Sequence, residues 1–323
     1  MRTRRWPFVV AALFALAVPA YWWFFLESGA PKGTFSIDLA EVRRLANVMP
    51  GDKATSVHFE PVGRFEFPKT AVVAGDGWAT ADMTVYSYQL VFPSQRVIVD
   101  AAMDEATGKK GGAVWFDGAA FARVLAGMSE ASVIVVTHEH FDHLAGLAMH
   151  PDVKALMKKA VLTEAQLAEP KRMDPLVFPP EALEGYRPLS TRALHAIAPG
   201  VVLVKAPGHT PGSQLVYVQR ADGAEYLFLG DVAWHLRNVE LVRERARLVT
   251  QFFLNEDRAN VLRELAELNR LSKAEPKLNL IPGHDTPHLE ALTQQGLFVK
   301  GFLPPAPAAP AAPEAAPADA GTP

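Results

Sequence analysis

The longest apolar stretch of the chain lies near its N-terminus. No charged residue occurs from Trp6 to Leu26, and at about 1.5 Å per residue a helix of this length can cross a hydrocarbon core about 30 Å thick. The residues before it include three arginines: Arg2, Arg4 and Arg5. This basic start predicts that the N-terminus stays in the cytoplasm and that the following chain is exported, to the periplasm or another extracytoplasmic space.

We expect residues 1–27 to be a signal-anchor that remains in the membrane as a transmembrane segment, because the apolar run continues well past the plausible cleavage point near Ala20. The alternative is a cleaved signal peptide, since Val18-Pro19-Ala20 offers small residues near a plausible cleavage site. Cleavage there would release the protein into the periplasm.

The rest of the chain shows two hydrophobic periods. Between residues 55 and 100, apolar and polar positions alternate and β-branched or aromatic residues are frequent, which is typical of strands. Later, short apolar runs alternate with segments whose apolar residues recur at helical spacing. Strands are predicted over 83–92, 96–100, 132–137, 201–205, 214–218, 226–229 and 278–281, and helices over 37–48, 116–125, 239–253 and 257–273. This order predicts one layered α/β domain over residues 34–303.

Composition changes the expected partners more than the expected fold. The chain has 323 residues, a formal net charge of −3 and no cysteine. The lack of cysteine excludes disulfides, thiolate metal sites and cysteine nucleophiles, and the absence of excess basic charge argues against nucleic acid as a partner. Residues 304–323 are rich in Pro and Ala, so we expect a disordered, solvated tail there.

Four potential metal-binding side chains fall within six residues directly after a predicted strand. The strand 132–137 is followed by His138-Glu-His140-Phe-Asp142-His143. Imidazole and carboxylate groups are ligands that zinc and related divalent ions prefer. A single histidine in a loop is usually an ordinary surface or capping residue, but three histidines and an aspartate at this spacing predict a metal site.

The same arrangement recurs after three later strands. His209 follows strand 201–205, Asp231 follows strand 226–229, and His284 follows strand 278–281, mostly beside Gly or Pro residues that let the chain turn sharply. Because ligands of open α/β sheets bind beyond the carboxyl ends of strands, we expect all four loops to meet at one edge.

These residues, in this order, resemble the signature of the metallo-β-lactamase-fold hydrolases. The resemblance covers about residues 72–288 and implies an αββα four-layer sandwich. It also implies two divalent metal ions, with zinc as the expected element. The implied ligands are His138, His140 and His209 for the first ion, Asp142, His143 and His284 for the second, and Asp231 as the bridge between them. Asp100 resembles the carboxylate with which this family orients a ligand.

The resemblance implies a metallo-hydrolase that acts on a small molecule. Asp231 points to the two-metal thioesterase, lactonase and phosphodiesterase branches, and we expect an ester, lactone or thioester substrate. Two divalent ions would activate water for attack, with Asp142 as the expected proton shuttle. The alternatives are a phosphodiesterase of the same fold, an oxidoreductase resembling the mononuclear-iron persulfide dioxygenases, and a binding module without catalysis.

Residues that select the substrate are less apparent in the sequence. The Pro-rich segment 170–188 is either a lid over the pocket or a loop packed on the sheet. Lactonases of this family use a Tyr beside the metals, and Tyr186 is the candidate. Trp234 and His235 either line the pocket or pack elsewhere. The remaining candidates are the arginines of 237–247, expected to form a solvated helix face with an anion-binding patch as the alternative, and the histidines without an expected role, His58, His150, His195 and His288.

Overall fold

The computed structural model describes residues 6–190 and 192–304. The three N-terminal arginines and nearly all of the predicted tail lie outside the described residues. The helices are α1 (Trp6–Tyr21), α2 (Leu39–Leu45), α3 (Lys69–Val72), α4 (Glu105–Lys110), α5 (Gly118–Glu130), α6 (Phe141–Ala148), α7 (Val153–Met157), α8 (Glu164–Ala168), α9 (Pro180–Leu183), α10 (Leu236–Leu241), α11 (Arg258–Ala274) and α12 (Thr286–Gln294). The strands are β1 (Ser56–Pro68), β2 (Thr80–Val91), β3 (Arg96–Val99), β4 (Trp115–Phe116), β5 (Val133–Val135), β6 (Ala160–Val161), β7 (Leu194–Ala198), β8 (Val201–Lys205), β9 (Gln214–Gln219), β10 (Glu225–Gly230), β11 (Leu278–Pro282) and β12 (Val299–Lys300).

The first sheet has seven strands, in the order β12-β1-β2-β3-β5-β6 with β4 beside β1. β1 and β2 form a long antiparallel hairpin in which Ser56 pairs with Val91 and Pro68 with Thr80. β3, β5 and β6 are parallel. The chain therefore leaves β3 and β5 at the same edge of the sheet.

The second sheet has five strands, in the order β11-β10-β9-β8-β7. β9 is antiparallel to both of its neighbours, β8 and β10, and β10 is parallel to β11. β8, β10 and β11 therefore point in the same direction, and their carboxyl ends lie at one edge.

The two sheets face each other across an apolar core. Tyr88 and Val99 from the first sheet share one buried cluster with Leu203 and Phe228 from the second. A second cluster packs α5 and α6 on the outer face of the first sheet, and a third packs α2 and α11 on the outer face of the second. The predicted αββα four-layer sandwich is confirmed.

The predicted helix over 239–253 is wrong. α10 ends at Leu241 because Val242 takes a left-handed backbone conformation, with φ of 51°. Helical structure resumes at Arg247 and continues as one π-helical turn, Val249–Phe253. Between them the chain turns inward, so that Glu244 and Arg245 are each only 1% exposed. The solvated arginine face expected here is therefore wrong for Arg245 and Arg247, which are both buried.

The N-terminal apolar stretch is helical and ends against the domain. α1 continues into a π-helical turn, Trp22–Leu26, and residues 6–26 are long and apolar enough to cross a membrane. No residue of α1 is buried, whereas the backbone of Phe25 and the side chain of Glu27 bond to the folded domain. The end of the apolar helix is thus attached while the rest of it projects.

Candidate metal centre

Seven His and Asp side chains meet at the edge of the sandwich where several strands end. Four come from the continuous segment after β5: His138 and His140 precede α6, and Asp142 and His143 lie at its start. The other three each follow a different strand of the second sheet: His209 after β8, Asp231 after β10 and His284 after β11. The predicted loops are brought together at one edge.

Two glycines allow these loops to approach closely. A Cβ atom on Gly283 would lie 2.4 Å from Asp231 Oδ1, and one on Gly146 in α6 would lie 1.9 Å from the Ala101 carbonyl oxygen. Any side chain would push these segments apart. The loop before His284 and the helix that carries His143 reach their positions because glycine stands there.

One group of donor atoms surrounds His140. Its Nδ1 lies 3.1 Å from His138 Nε2 and 2.9 Å from His209 Nε2. Asp231 Oδ2 lies 3.8 Å from His138 Nε2 and 3.5 Å from His209 Nε2. All four donor atoms fall within 4.8 Å of one another, so a single metal ion can reach each of them.

A second group consists of Asp142, His143 and His284. Asp142 Oδ2 lies 3.5 Å from His143 Nε2 and 3.7 Å from His284 Nε2. Asp231 approaches this group with its other oxygen, because Oδ1 lies 3.4 Å from His143 Nε2 and 3.1 Å from His284 Nε2. Asp231 therefore lies between the groups, with one oxygen turned to each.

The donor set fits metal ions, because two of its atoms have no other use. His143 Nε2 and Asp231 Oδ1 are buried and have no hydrogen-bond partner among the described residues. A buried polar atom without a partner costs about 1–3 kcal/mol, and a divalent cation would satisfy both. Imidazole nitrogen and carboxylate oxygen are the donors that zinc and related ions prefer.

Burial holds the first group of imidazoles in their neutral form. It lowers the pKa of His138 and His209 well below the ordinary value and lowers the pKa of His140 to about 3. Neutral imidazole is the form that binds a metal. These three rings are therefore in the binding form at neutral pH.

Carboxylates dominate the second group. Burial alone would lower the pKa of His143, but the Asp142 and Asp100 carboxylates outweigh it and raise that pKa well above the ordinary value. At His284 the Asp231 carboxylate likewise outweighs burial and raises the pKa. Burial would raise the pKa of Asp231, yet the imidazoles around it, His284 above all, hold that pKa well below its usual range. The site thus favours cations.

Hydrogen bonds from outside the donor groups aim the imidazoles inward. Asp100 accepts a hydrogen bond from His143 Nδ1 at 2.9 Å and another from the Thr137 backbone N–H at 2.6 Å. The Thr84 carbonyl accepts a hydrogen bond from His284 Nδ1 at 2.9 Å. Occupying Nδ1 in this way fixes the tautomer and turns Nε2 toward the centre. The geometry agrees with the orienting role expected of Asp100.

One such partner, Glu256, was not predicted from the sequence. Its side chain is fully buried, and its Oε1 lies 2.5 Å from His209 Nδ1. Arg245 forms an ion pair with Glu256, and its guanidinium lies 4.7 Å from the centre of the Trp234 ring. In the sequence Glu256 is marked only as one of two adjacent acidic residues, Glu256-Asp257, shortly after Phe252-Phe-Leu. Its contact with His209 depends on the break after α10.

A pocket of about 740 Å³ opens onto the donor groups. Much of its wall is apolar: Phe65, Phe67, Met83, Phe141, Trp234, Phe253 and Leu254. The segment 170–188 combines the two expected roles, since Lys171 and Arg172 line the pocket while Met173 and Leu176 are buried in the core. This segment is both a rim and a packed loop.

The expected position of Tyr186 beside the donor groups is wrong. Its hydroxyl accepts a hydrogen bond from the Leu162 backbone N–H at 2.7 Å and donates one to the Ala160 carbonyl at 3.0 Å, which joins segment 170–188 to β6.

Trp234 does line the pocket, and its Nε1 donates to Asp231 Oδ2 at 2.6 Å. His235 instead caps α10. The histidines without an expected role hydrogen-bond elsewhere: His58, His150, His195 and His288.

Comparisons with known proteins agree with this geometry. The sequence matches the model of the metallo-beta-lactamase superfamily over residues 82–284, a range that includes all seven donors. A comparison with curated proteins finds no match.

Several solved structures share the fold. A quorum-quenching N-acyl homoserine lactone hydrolase aligns with a TM-score of 0.59 at 18% identity, covering 74% of this chain and 96% of that one. A structure of such a hydrolase with the product N-hexanoyl-L-homoserine at its catalytic metal centre aligns with a TM-score of 0.58, also at 18% identity and with coverages of 74% and 96%. A probable metal-dependent hydrolase from Staphylococcus aureus aligns with a TM-score of 0.53 at 14% identity, with coverages of 73% and 91%.

Proposed function

The chain belongs to the metallo-beta-lactamase superfamily, and we propose that it is a hydrolase that uses two zinc ions to cleave an ester, lactone or thioester bond in a small molecule. The observation that carries the proposal is the position of Asp231, which turns one oxygen to each donor group. A site for a single ion needs no such shared carboxylate. The remaining ligands would be His138, His140 and His209 for one ion and Asp142, His143 and His284 for the other.

When bound, two divalent ions supply Lewis acidity, which lowers the pKa of water and polarises the carbonyl of the substrate. Asp142 would move the proton. Its carboxylate lines the pocket, and the side chain is 11% exposed, so it can reach both water and substrate. It accepts a proton from the attacking water as the new carbon–oxygen bond forms, and it returns the proton to the departing oxygen or sulfur.

Other residues of the chain position this machinery. Trp234 holds one oxygen of Asp231, Asp100 orients His143, and Glu256 orients His209. The apolar wall of the pocket excludes water and offers room for an acyl group. The solved neighbours named for N-acyl homoserine lactones support a lactone among the candidate substrates.

We place the catalytic domain, residues 34–303, outside the cytoplasm on an anchor formed by residues 1–27. The support is the long apolar helix, residues 6–26, together with the basic residues that precede it in the sequence.

The test combines metal analysis with a substrate panel on one preparation of the full chain. We expect about two zinc ions per chain and hydrolysis of at least one ester, lactone or thioester, both lost on chelation and restored by zinc. One iron per chain with oxygen consumption would instead indicate a dioxygenase, and cleavage of phosphodiesters alone would indicate a phosphodiesterase. No hydrolysis of any panel member with the metal intact would contradict the proposal.

A further inference from the structure

We propose that the mouth of the pocket faces the membrane surface entered by the apolar helix, and that the substrate is an amphiphile whose apolar chain lies in the bilayer before it reaches the donor groups. The bond that is cleaved rests on the proposed function above. The route of entry rests on how the end of the apolar helix is attached to the domain.

The first attachment joins the helix end to α3 and to the loop between α3 and β2. The Phe25 carbonyl accepts hydrogen bonds from the Gly75 backbone N–H and the Thr70 hydroxyl, each at 2.9 Å. Trp78 donates from Nε1 to the Tyr21 hydroxyl at 2.9 Å, and its ring lies 5.2 Å from that of Phe25. Bonds to both backbone and side chains fix the direction in which the helix leaves the domain.

The second attachment joins the helix end to the segment between α10 and α11 and to the first residue of α11. Glu27 forms ion pairs with Arg247 and Arg258, and the Arg247 guanidinium lies 3.7 Å from the centre of the Trp23 ring. The Gly29 backbone N–H donates to Glu244 at 3.2 Å. The Glu27 side chain is only 17% exposed, so these are packed contacts rather than loose surface ion pairs.

Aromatic side chains, all but one of them exposed, surround these attachments. We define the aromatic face as Trp22, Trp23, Phe24, Phe252 and Phe253. The rings of Phe24 and Phe252 are 6.0 Å apart, while Phe252 and Phe253 are 66% and 76% exposed. Aromatic residues at the end of an apolar span are typical of the membrane interface. Because Phe24 lies in the last turn of the candidate span, Phe252 lies at the depth where that span leaves the hydrocarbon.

The aromatic face is continuous with the wall of the pocket. Phe253 and Leu254 line the pocket directly after Phe252 in the chain. The pocket is also lined by Phe67 and Trp234, whose rings stack 5.9 Å apart. Phe67 lies shortly before α3, and Phe253 lies shortly after Arg247. Both parts of the wall therefore lead to a segment that holds the end of the apolar helix.

This arrangement sorts a substrate by polarity along its length. The donor groups of the metal centre are polar, whereas the wall between them and the aromatic face is rich in aromatic side chains. A molecule held in the bilayer can pass its apolar chain along this wall without exposing it to water. A fully water-soluble substrate would make no use of Phe252, which is exposed and lies outside the pocket lining.

Spin labelling can measure the orientation, because the chain has no native cysteine. Full-length F252C and D222C are each labelled with a nitroxide in phosphatidylcholine vesicles. Asp222 lies between β9 and β10, at the end of these strands opposite to Asp231. We expect the label at 252 to collide more with lipid-soluble oxygen than with a water-soluble nickel complex, and the label at 222 to do the reverse. A water-like ratio at both positions would overturn the proposal.

The substrate class can be tested with two compounds that share a reacting group of the class found active in the panel. One has a butyryl chain and is used in solution; the other has a palmitoyl chain and is held in phosphatidylcholine vesicles. We expect F252S to lower palmitoyl hydrolysis about tenfold and to leave butyryl hydrolysis unchanged. V299S, which alters an exposed apolar residue on β12, is the matched control and should change neither rate.

The outcomes separate this inference from the proposed function. Equal losses on both compounds in F252S, or no loss on either, would overturn entry from the membrane. Failure of the unaltered chain to hydrolyse any soluble panel member would contradict the proposed function instead, and the spin-label ratio would still decide the orientation.

Discussion

The two sheets supply the donor set in different ways. The first sheet delivers four donors from one continuous segment after β5, whereas the second delivers three donors from three separate strand ends. The first set is held by local turns and by α6. The second set depends on β8, β10 and β11 running in the same direction within one sheet, with β9 between β8 and β10, so it exists only once the whole sheet has formed. Asp231, from the second sheet, is the residue that contacts both groups.

Replacing Asp231 should give the largest effect, because it removes the carboxylate that both groups share. We expect D231A to bind neither ion firmly and to lose turnover by about a thousandfold or more. The comparison variant is H140A, which removes a donor of the first group only. We expect it to lose the metal ion of that group and to lose activity with it. Zinc per chain and kcat measure both. If D231A kept both metal ions, metal binding by the two donor groups would not depend on the carboxylate of Asp231.

The orienting partners of the two halves should give intermediate effects. Asp100 hydrogen-bonds to His143, a donor from the first sheet. Glu256 hydrogen-bonds to His209, a donor from the second sheet. Loss of such a partner typically weakens metal binding by about 10–100-fold. We expect E256Q and D100N each to fall in this range, as measured by zinc competition with a chelator. Equal affinity of E256Q and the unaltered chain would remove Glu256 from the metal centre.

The same contrast between the two sheets explains which parts of the site can be predicted from the sequence. The segment from His138 to His143 is compact enough to be recognised directly, and the Gly or Pro residues beside His209 and His284 mark ends of strands. Glu256 was missed because its contact with His209 depends on the inward turn after Val242, which no hydrophobic period signals. Tyr186 was assigned wrongly because its partners, the backbone groups of residues 160 and 162, become visible only when β6 has a place in the sheet.

Two buried carboxyl groups, one near the donors of each sheet, differ in their hydrogen-bond partners. Glu139, in the first half, accepts hydrogen bonds from the Thr210 hydroxyl and the Gly212 backbone N–H. Glu264, behind the His209 loop, has no hydrogen-bond partner for either oxygen among the described residues, and burial raises its pKa from 4.5 to about 8. Between these two pH values the folded chain keeps a proton that the unfolded chain releases, so stability falls as the pH rises.

We therefore expect E264Q to be more stable than the unaltered chain at pH 8, by about 2–3 kcal/mol, with a much smaller difference near pH 5. E139Q should be destabilised near pH 5, because the Gln amide offers only one oxygen to replace the two that accept from Thr210 and Gly212. Urea unfolding of the metal-loaded chains at the two pH values measures this. A Glu264 that titrates normally would give the same difference at both.

Tyr186→Phe should give the smallest effect on catalysis. The hydroxyl bonds only to backbone groups near β6, so we expect turnover to stay unchanged and the free energy of unfolding to fall by about 1–2 kcal/mol. A drop in kcat without a loss of stability would indicate that the Tyr186 hydroxyl acts on the substrate in the pocket.

The ion pair between Glu27 and Arg247 also sets an order of events during synthesis. The two residues are 220 positions apart, so at about 5–20 residues per second the helix end waits roughly ten to forty seconds for its partner. Arg247 and Arg258 both precede His284 in the chain. Both partners of Glu27 are therefore available before the last donor has been made, whereas the metal centre cannot be completed until His284 has followed.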